Sequence, residues 1–155
     1  MLPLYKSLIR PHLEYCCPIW NPYYKKDIKL VEGAQRRATK LVPGLSHLKY
    51  DDRLEALGLV RLERRRVRGD LIETYKILHG NYDIPVEKFF EFNETSRRGH
   101  KLKLFKKRFR LDVKKYGFSS RVVDDWNNLS ECCVNSVSIN CFKKHISLDL
   151  EPGTV

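Results

Sequence analysis

Residues 25–42 constrain the fold more than any other stretch of the sequence. At 100° per residue, Leu30, Leu41, Ala34, Ala38, Val31, Val42 and Ile28 fall on one broad arc. Lys25, Lys26, Lys29, Arg36, Arg37 and Lys40 fall on the opposite arc. A strand would scatter both sets over its two faces, so the pattern specifies a helix, and Pro43-Gly44 stops it. One face is expected to pack and the other to present six cations.

The same reading extends along the chain. Leu4, Leu8, Ile9 and Leu13 give residues 4–20 a helical pattern, with a kink expected at Pro11 and a turn at Asn21-Pro22. Helices are expected at 51–57, stopped by Gly58, and at 62–78, stopped by Gly80. In the second of these, Val67, Leu71, Ile72, Tyr75 and Leu78 share a face, with Arg64 and Arg68 beside it. One helical turn is expected near 85–90, and two more helices at 119–129 and 138–148, the last with an Ile139, Phe142, Ile146 stripe. Around Lys101 the period shortens to two: Leu102 and Leu104, then Phe109, Leu111 and Val113, alternate with Lys101 and Lys103, then Arg108 and Arg110. That alternation predicts a two-stranded β-ribbon turning at Lys106-Lys107, apolar on one face and basic on the other. The expected fold is therefore mainly α with one small ribbon, divided at a composition shift into 1–45 and 46–155.

The 155 residues are 42% hydrophobic, enough for one ordinary domain or two small ones. No stretch approaches the roughly 18–20 apolar residues of a membrane span. The opening residues lack an apolar signal-peptide core. Four of the five cysteines form the vicinal pairs Cys16-Cys17 and Cys132-Cys133, which suits no disulfide framework. The expectation is an intracellular protein, nuclear or cytoplasmic, with no membrane partner. Its net charge of +11 is concentrated: residues 97–115 hold ten basic and one acidic residue, and residues 1–45 hold eight and three. The intervening and final segments are slightly acidic.

Chemistry-bearing patterns are sparse. The doublets Asp51-Asp52 and Asp124-Asp125 lack the aromatic two positions before the doublet that marks a polymerase palm hairpin, with Lys49 and Val122 there instead. Both fall in helical segments, where neighbouring side chains diverge by about 100°. Cys141 and His145 are spaced to share a helix face with Cys132 or Cys133 upstream, yet Cys-x-x-Cys occurs nowhere. Neither vicinal pair has a clear His partner for a thiol enzyme. Arg68-Gly69-Asp70 lies inside a helix, and the sequons at Asn93 and Asn128 have no secretory route. No catalytic site, metal, cofactor or small-molecule substrate is expected.

The basic clusters remain, and they point to the phosphate backbone of RNA or DNA. The candidate contacts are Lys25, Lys29, Arg36, Arg37 and Lys40 on the first helix, and Arg65 and Arg66 on the 62–78 helix. The ribbon and the residues after it add Lys101, Lys103, Lys106, Lys107, Arg108, Arg110, Lys114 and Lys115, interleaved with Phe105, Phe109 and Tyr116 as candidate base-stacking rings.

Longer blocks of sequence carry a resemblance. Leu4-Tyr5-Lys6-Ser7-Leu8-Ile9-Arg10-Pro11-His12-Leu13-Glu14-Tyr15 and Trp20-Asn21-Pro22 come first, followed by Gln35-Arg36-Arg37-Ala38-Thr39-Lys40. Leu57-Gly58-Leu59, Arg68-Gly69-Asp70-Leu71-Ile72, Arg98-Gly99-His100, Trp126-Asn127 with Leu129, and Phe142-Lys143 continue it. Together they resemble the stretch just past the polymerase palm in non-LTR (LINE-type, jockey-like) retrotransposons. The resemblance implies a reverse transcriptase thumb at 1–45 and a carboxy-terminal tail at 46–155, with the endonuclease and the catalytic palm outside this sequence. It further implies that Arg36, Arg37 and Lys40 contact a primer–template. Two alternatives stay open: a helical protein-interaction module, or a decayed element copy without function.

Overall fold

A computed structural model of the protein describes residues 2–93 and 99–150, with side chains through 147. The part of the basic segment at 97–98 and the residues after Asn93 in its sequon lie outside the described residues. The fold is mainly helical, and no strand forms among the described residues, where Phe92 and Leu104 make one isolated antiparallel bridge. The chain divides into two compact units, Met1–Arg66 and Val67–Val155.

In the first unit, α1 (Leu2–Leu4) and α2 (Arg10–Glu14) are joined by a π-helical stretch, Tyr5–Ile9. The irregularity sits in the turn before Pro11, which has no N–H and crowds the carbonyl one turn back. The Arg10 amide bonds instead to the Tyr5 carbonyl. Helix α3 (Lys25–Lys40) has Arg37 and Lys40 in its last turn, where cations complement the helix dipole, while Asp27 in its first turn stands beside Lys25 and Lys26. Helix α4 (Tyr50–Ala56) ends at Gly58, whose φ of 57° lets the Leu59 amide reach back 2.8 Å to the Leu54 carbonyl. Leu54 and Leu59 then pack with Tyr5 and Tyr50 in a small core, so 50–59 belongs with the N-terminal helices and the division comes later than position 45.

The face of α3 that turns inward differs from the expected one. Leu30 is 72% and Leu41 63% exposed, while the buried row is Glu32, Gln35 and Thr39. Burying a polar row requires a partner for every group. The Tyr5 hydroxyl donates to Gln35 Oε1 at 2.6 Å, and Gln35 Nε2 donates to the Tyr50 hydroxyl at 3.0 Å and to the Val60 carbonyl at 3.1 Å. Glu32 accepts from the Tyr50 hydroxyl and, at 3.0 Å, from the Leu62 amide. Arg53 is buried beside them, donating to the Leu48 carbonyl at 2.6 Å and to Thr39 Oγ1 at 3.3 Å.

Helix α5 (Leu62–Leu78) contains the division between units, its opening residues through Arg66 belonging to the first. In the second unit, Leu71 and Tyr75 of α5 pack with Val122, Val123 and Trp126 of α7 (Phe118–Asn127) and with Phe142 and Ile146 of α9 (Ile139–Leu150). Two short helices, α6 (Asp112–Lys115) and α8 (Glu131–Val134), lie outside the expected helical segments; the turn near residue 85 is a 3₁₀ turn, Val86–Lys88. Asp70 is buried and takes both Nε and Nη2 of Arg121 at 2.9 Å, so the Arg68-Gly69-Asp70 tripeptide is structural.

Candidate nucleic-acid interface

The six cations of α3, Lys25, Lys26, Lys29, Arg36, Arg37 and Lys40, are all exposed. Arg36 also lies over the Tyr50 ring, its guanidinium carbon 4.7 Å from the centroid, which orients it without neutralising it. Arg65 and Arg66 are placed differently. Arg65 forms a forked pair with Glu14, its Nη2 at 3.0 Å from Oε2. Arg66 is 2% exposed; it donates to the Leu13 carbonyl and to Asn21 Oδ1 at 3.2 Å and lies 4.1 Å from the Trp20 ring centroid. These two arginines, expected to reach phosphate, bond instead to Glu14, to the Leu13 carbonyl and to Asn21, because a guanidinium drawn toward the inside of a unit takes its acceptors from the protein.

In the second unit the expected ribbon does not form, and the reason lies in its hydrogen bonding. The segment 102–105 is extended, and both of its edges are taken. On one edge the Asn93 amide donates to the Lys103 carbonyl at 2.8 Å and the Phe105 amide to the Glu91 carbonyl at 2.7 Å. On the other, Asn127 acts as a short imitation strand: its Oδ1 accepts from the Leu104 amide and its Nδ2 donates to the Leu104 carbonyl, both at 2.9 Å. Trp126 Nε1 adds a bond to the Leu102 carbonyl at 2.8 Å. No edge is left for residues 108–113 to pair with. Leu111 and Val113 are accordingly exposed, and residues 112–115 coil into α6.

This grip buries Leu104 and leaves the cations outside. Lys101, Arg108, Arg110, Lys114 and Lys115 are exposed. Lys103 is half-buried with Nζ 2.7 Å from the Asn127 carbonyl, Lys106 pairs with Asp124, and Lys107 pairs with Glu91. Of the aromatics, Phe105 is exposed and Phe109 and Tyr116 are half-buried. Asp51 is committed to Arg61 through a forked pair. Burial, Asp124 and Asp70 push the Asp125 carboxyl upward. Among the described residues, no three His, Cys, Asp or Glu side chains gather as a metal site, and His145 Nδ1 lies 2.9 Å from Ser136 Oγ.

Two features escape a reading by charge alone. Trp126 and Asn127 position the basic segment; their signal is an indole and a carboxamide side by side, groups that bond to backbone when drawn out of water. The second is the turn at 15–24, where Tyr15, Trp20 and Tyr24 stand exposed. Its signal is the density of rings directly before Lys25.

No family model matches the chain. No solved structure matches it. Over 85 residues, 53% of this chain, it is 32% identical to an uncharacterized protein of Caenorhabditis elegans. The chain spans less than half of that protein's length, 43%.

Proposed function

We propose that this chain is the thumb and carboxy-terminal tail of a non-LTR, jockey-like reverse transcriptase. In this reading it binds RNA or DNA through phosphates, without reading sequence and without catalysing nucleotide transfer. The observation that carries the phosphate-binding part is the segment 101–115, in which residues 102–105 are held on both edges and seven exposed cations flank them, Lys106 and Lys107 among these paired with Asp124 and Glu91. A held stretch of backbone beside the cations limits the ordering cost of meeting regularly spaced phosphates, and phosphate contacts orient without specifying bases. The exposed row on α3 supplies a second such surface. Both Asp doublets lie within helices, α4 and α7, where their carboxylates diverge.

A salt titration of binding to duplex DNA tests the reading. Replacing Arg108, Arg110 and Lys114 by Ala is expected to flatten the slope of log K against log salt by about 2.7, at roughly 0.9 per phosphate contact. The loss should be equal on unrelated sequences, and a parallel primer-extension assay with Mg²⁺ should give no product. An unchanged slope in a folded variant, or template-directed extension, refutes the respective half of the proposal.

A protein-interaction role is favoured by one observation: Leu4, Leu8, Ile19, Leu30 and Leu41 of the first unit are exposed apolar side chains. That reading predicts association that tolerates high salt and survives loss of the cations.

A further inference from the structure

The turn at 15–24 carries a concentration of exposed rings that the phosphate contacts do not explain. Cys16 adopts φ 50°, uncommon for a residue with a side chain, and the Ile19 and Trp20 amides both bond its carbonyl at 2.9 and 3.1 Å. Trp20 Nε1 donates to the Tyr15 carbonyl at 2.7 Å. The guanidinium of the buried Arg66 lies 4.1 Å from the Trp20 ring centroid. The indole is thus fixed at its nitrogen and against a cation, yet Trp20 remains 41% exposed. Tyr15 is 72% and Tyr24 51% exposed. Lys25, Lys26 and Lys29 follow directly, all exposed.

We propose that Trp20, with Tyr15 and Tyr24, is a stacking site for unpaired bases, and that Lys25, Lys26 and Lys29 hold the adjoining phosphates of a single strand. The inference rests on the nucleic-acid reading above and adds a preference for single strands over duplex. A protein partner would also use exposed rings, but the charge favours a polyanion: residues 1–66 hold fourteen basic and seven acidic side chains. Base-on-ring stacking is indifferent to sequence because every base has a π-face, whereas a duplex keeps its bases stacked on each other. A ring already immobilised by Arg66 and by its own N–H bond gives up little freedom on binding.

The chain reports on this site by itself. It has two tryptophans, and Trp126 is 0% exposed, so a contact quencher acts on Trp20. Unlabelled oligouridylate of about 12 nucleotides, within the usual single-strand site sizes, is titrated into the intact chain while tryptophan emission is followed. A duplex of the same length serves as comparison, and anisotropy of labelled strands measures binding separately. The expected result is quenching by the single strand and little by the duplex. Trp20→Ala should weaken single-strand binding by about 5- to 150-fold with an unchanged salt slope. Trp20→Phe, which keeps a ring, should retain most of the affinity, with circular dichroism checking both folds. Anisotropy showing binding without quenching, or equal quenching by duplex, overturns the stacking site and leaves phosphate binding standing. No binding of either strand at low salt overturns both and leaves the rings to a protein contact.

Discussion

Asn127 is the side chain on which the second unit's basic surface turns. A carboxamide presents one donor and one acceptor at the spacing of a peptide group, so it completes the Leu104 backbone as a neighbouring strand would. Leu104 is buried, and its amide and carbonyl cannot turn to water if that partner is removed. Asn127→Ala is therefore expected to destabilise the unit by about 1–3 kcal/mol in urea unfolding. Asn127→Asp should be destabilising at neutral pH as well, because it sets a carboxylate against the Leu104 carbonyl. Both variants should speed hydrogen exchange at the Leu104 amide, and unchanged exchange there would contradict the role. In the first unit Gln35 has a comparable place, with Tyr5, Tyr50 and Val60 as partners. No charge or apolar pattern marks either amide.

At the scale of elements, the basic segment is partly self-neutralised. Lys106 pairs with Asp124 of α7 and Lys107 with Glu91 on the strand-like stretch opposite, while Arg108 and Arg110 are exposed. Both pairs are about half exposed, so each adds little to stability. A phosphate must nonetheless displace the carboxylate before it gains the lysine. Glu91→Gln combined with Asp124→Asn is expected to raise affinity for duplex DNA and steepen the salt slope by up to about 1.8, two phosphate contacts at roughly 0.9 each. The unfolding midpoint should barely move. A salt titration of this double variant beside the unaltered chain decides it, and an unchanged slope would mean that these two lysines face solvent and no phosphate. The alternation of residues 102–104 corresponds to extended backbone. Its pairing partner is not a returning strand, because a carboxamide and the stretch 91–93 take both edges.

For the whole molecule, the two units contain ionisable groups that respond at opposite ends of the pH scale. In the first, burial, with Glu14 adding to it, raises the Tyr5 hydroxyl to about 12, and burial with the Glu32 hydrogen bond raises Tyr50 further. Both rings favour the neutral form when folded, so their contribution is complete below about pH 10 and falls as pH rises toward 12. In the second unit burial lowers His100, whose Nε2 lies 3.1 Å from the Trp126 carbonyl. The unfolded chain takes up that proton first, so this contribution is complete above about pH 6.5 and is lost as pH drops. Urea midpoints across the pH range should decline at both ends. Tyr5→Phe should flatten the alkaline limb alone, and His100→Gln the acid limb alone. Both variants flattening the same limb would refute the assignment.

Helical periods, the stops at Gly58 and Gly80, and the segregation of cations on α3 and in 97–115 are legible in the order of residues alone. These depend on neighbours within a turn or two, where order along the chain is enough. That Glu32, Gln35 and Thr39 are buried while Leu30 and Leu41 are not depends on packing across the unit, since a polar row is stable inside only when it meets groups such as Tyr5, Tyr50 and the Leu62 amide from distant parts of the chain. Packing likewise sets Arg66 beneath Trp20, although its charge alone points it outward to phosphate. Both outcomes follow from one physical fact: hydrogen-bonding groups that leave water must find partners in three dimensions, and those partners are invisible to a pattern read along the chain.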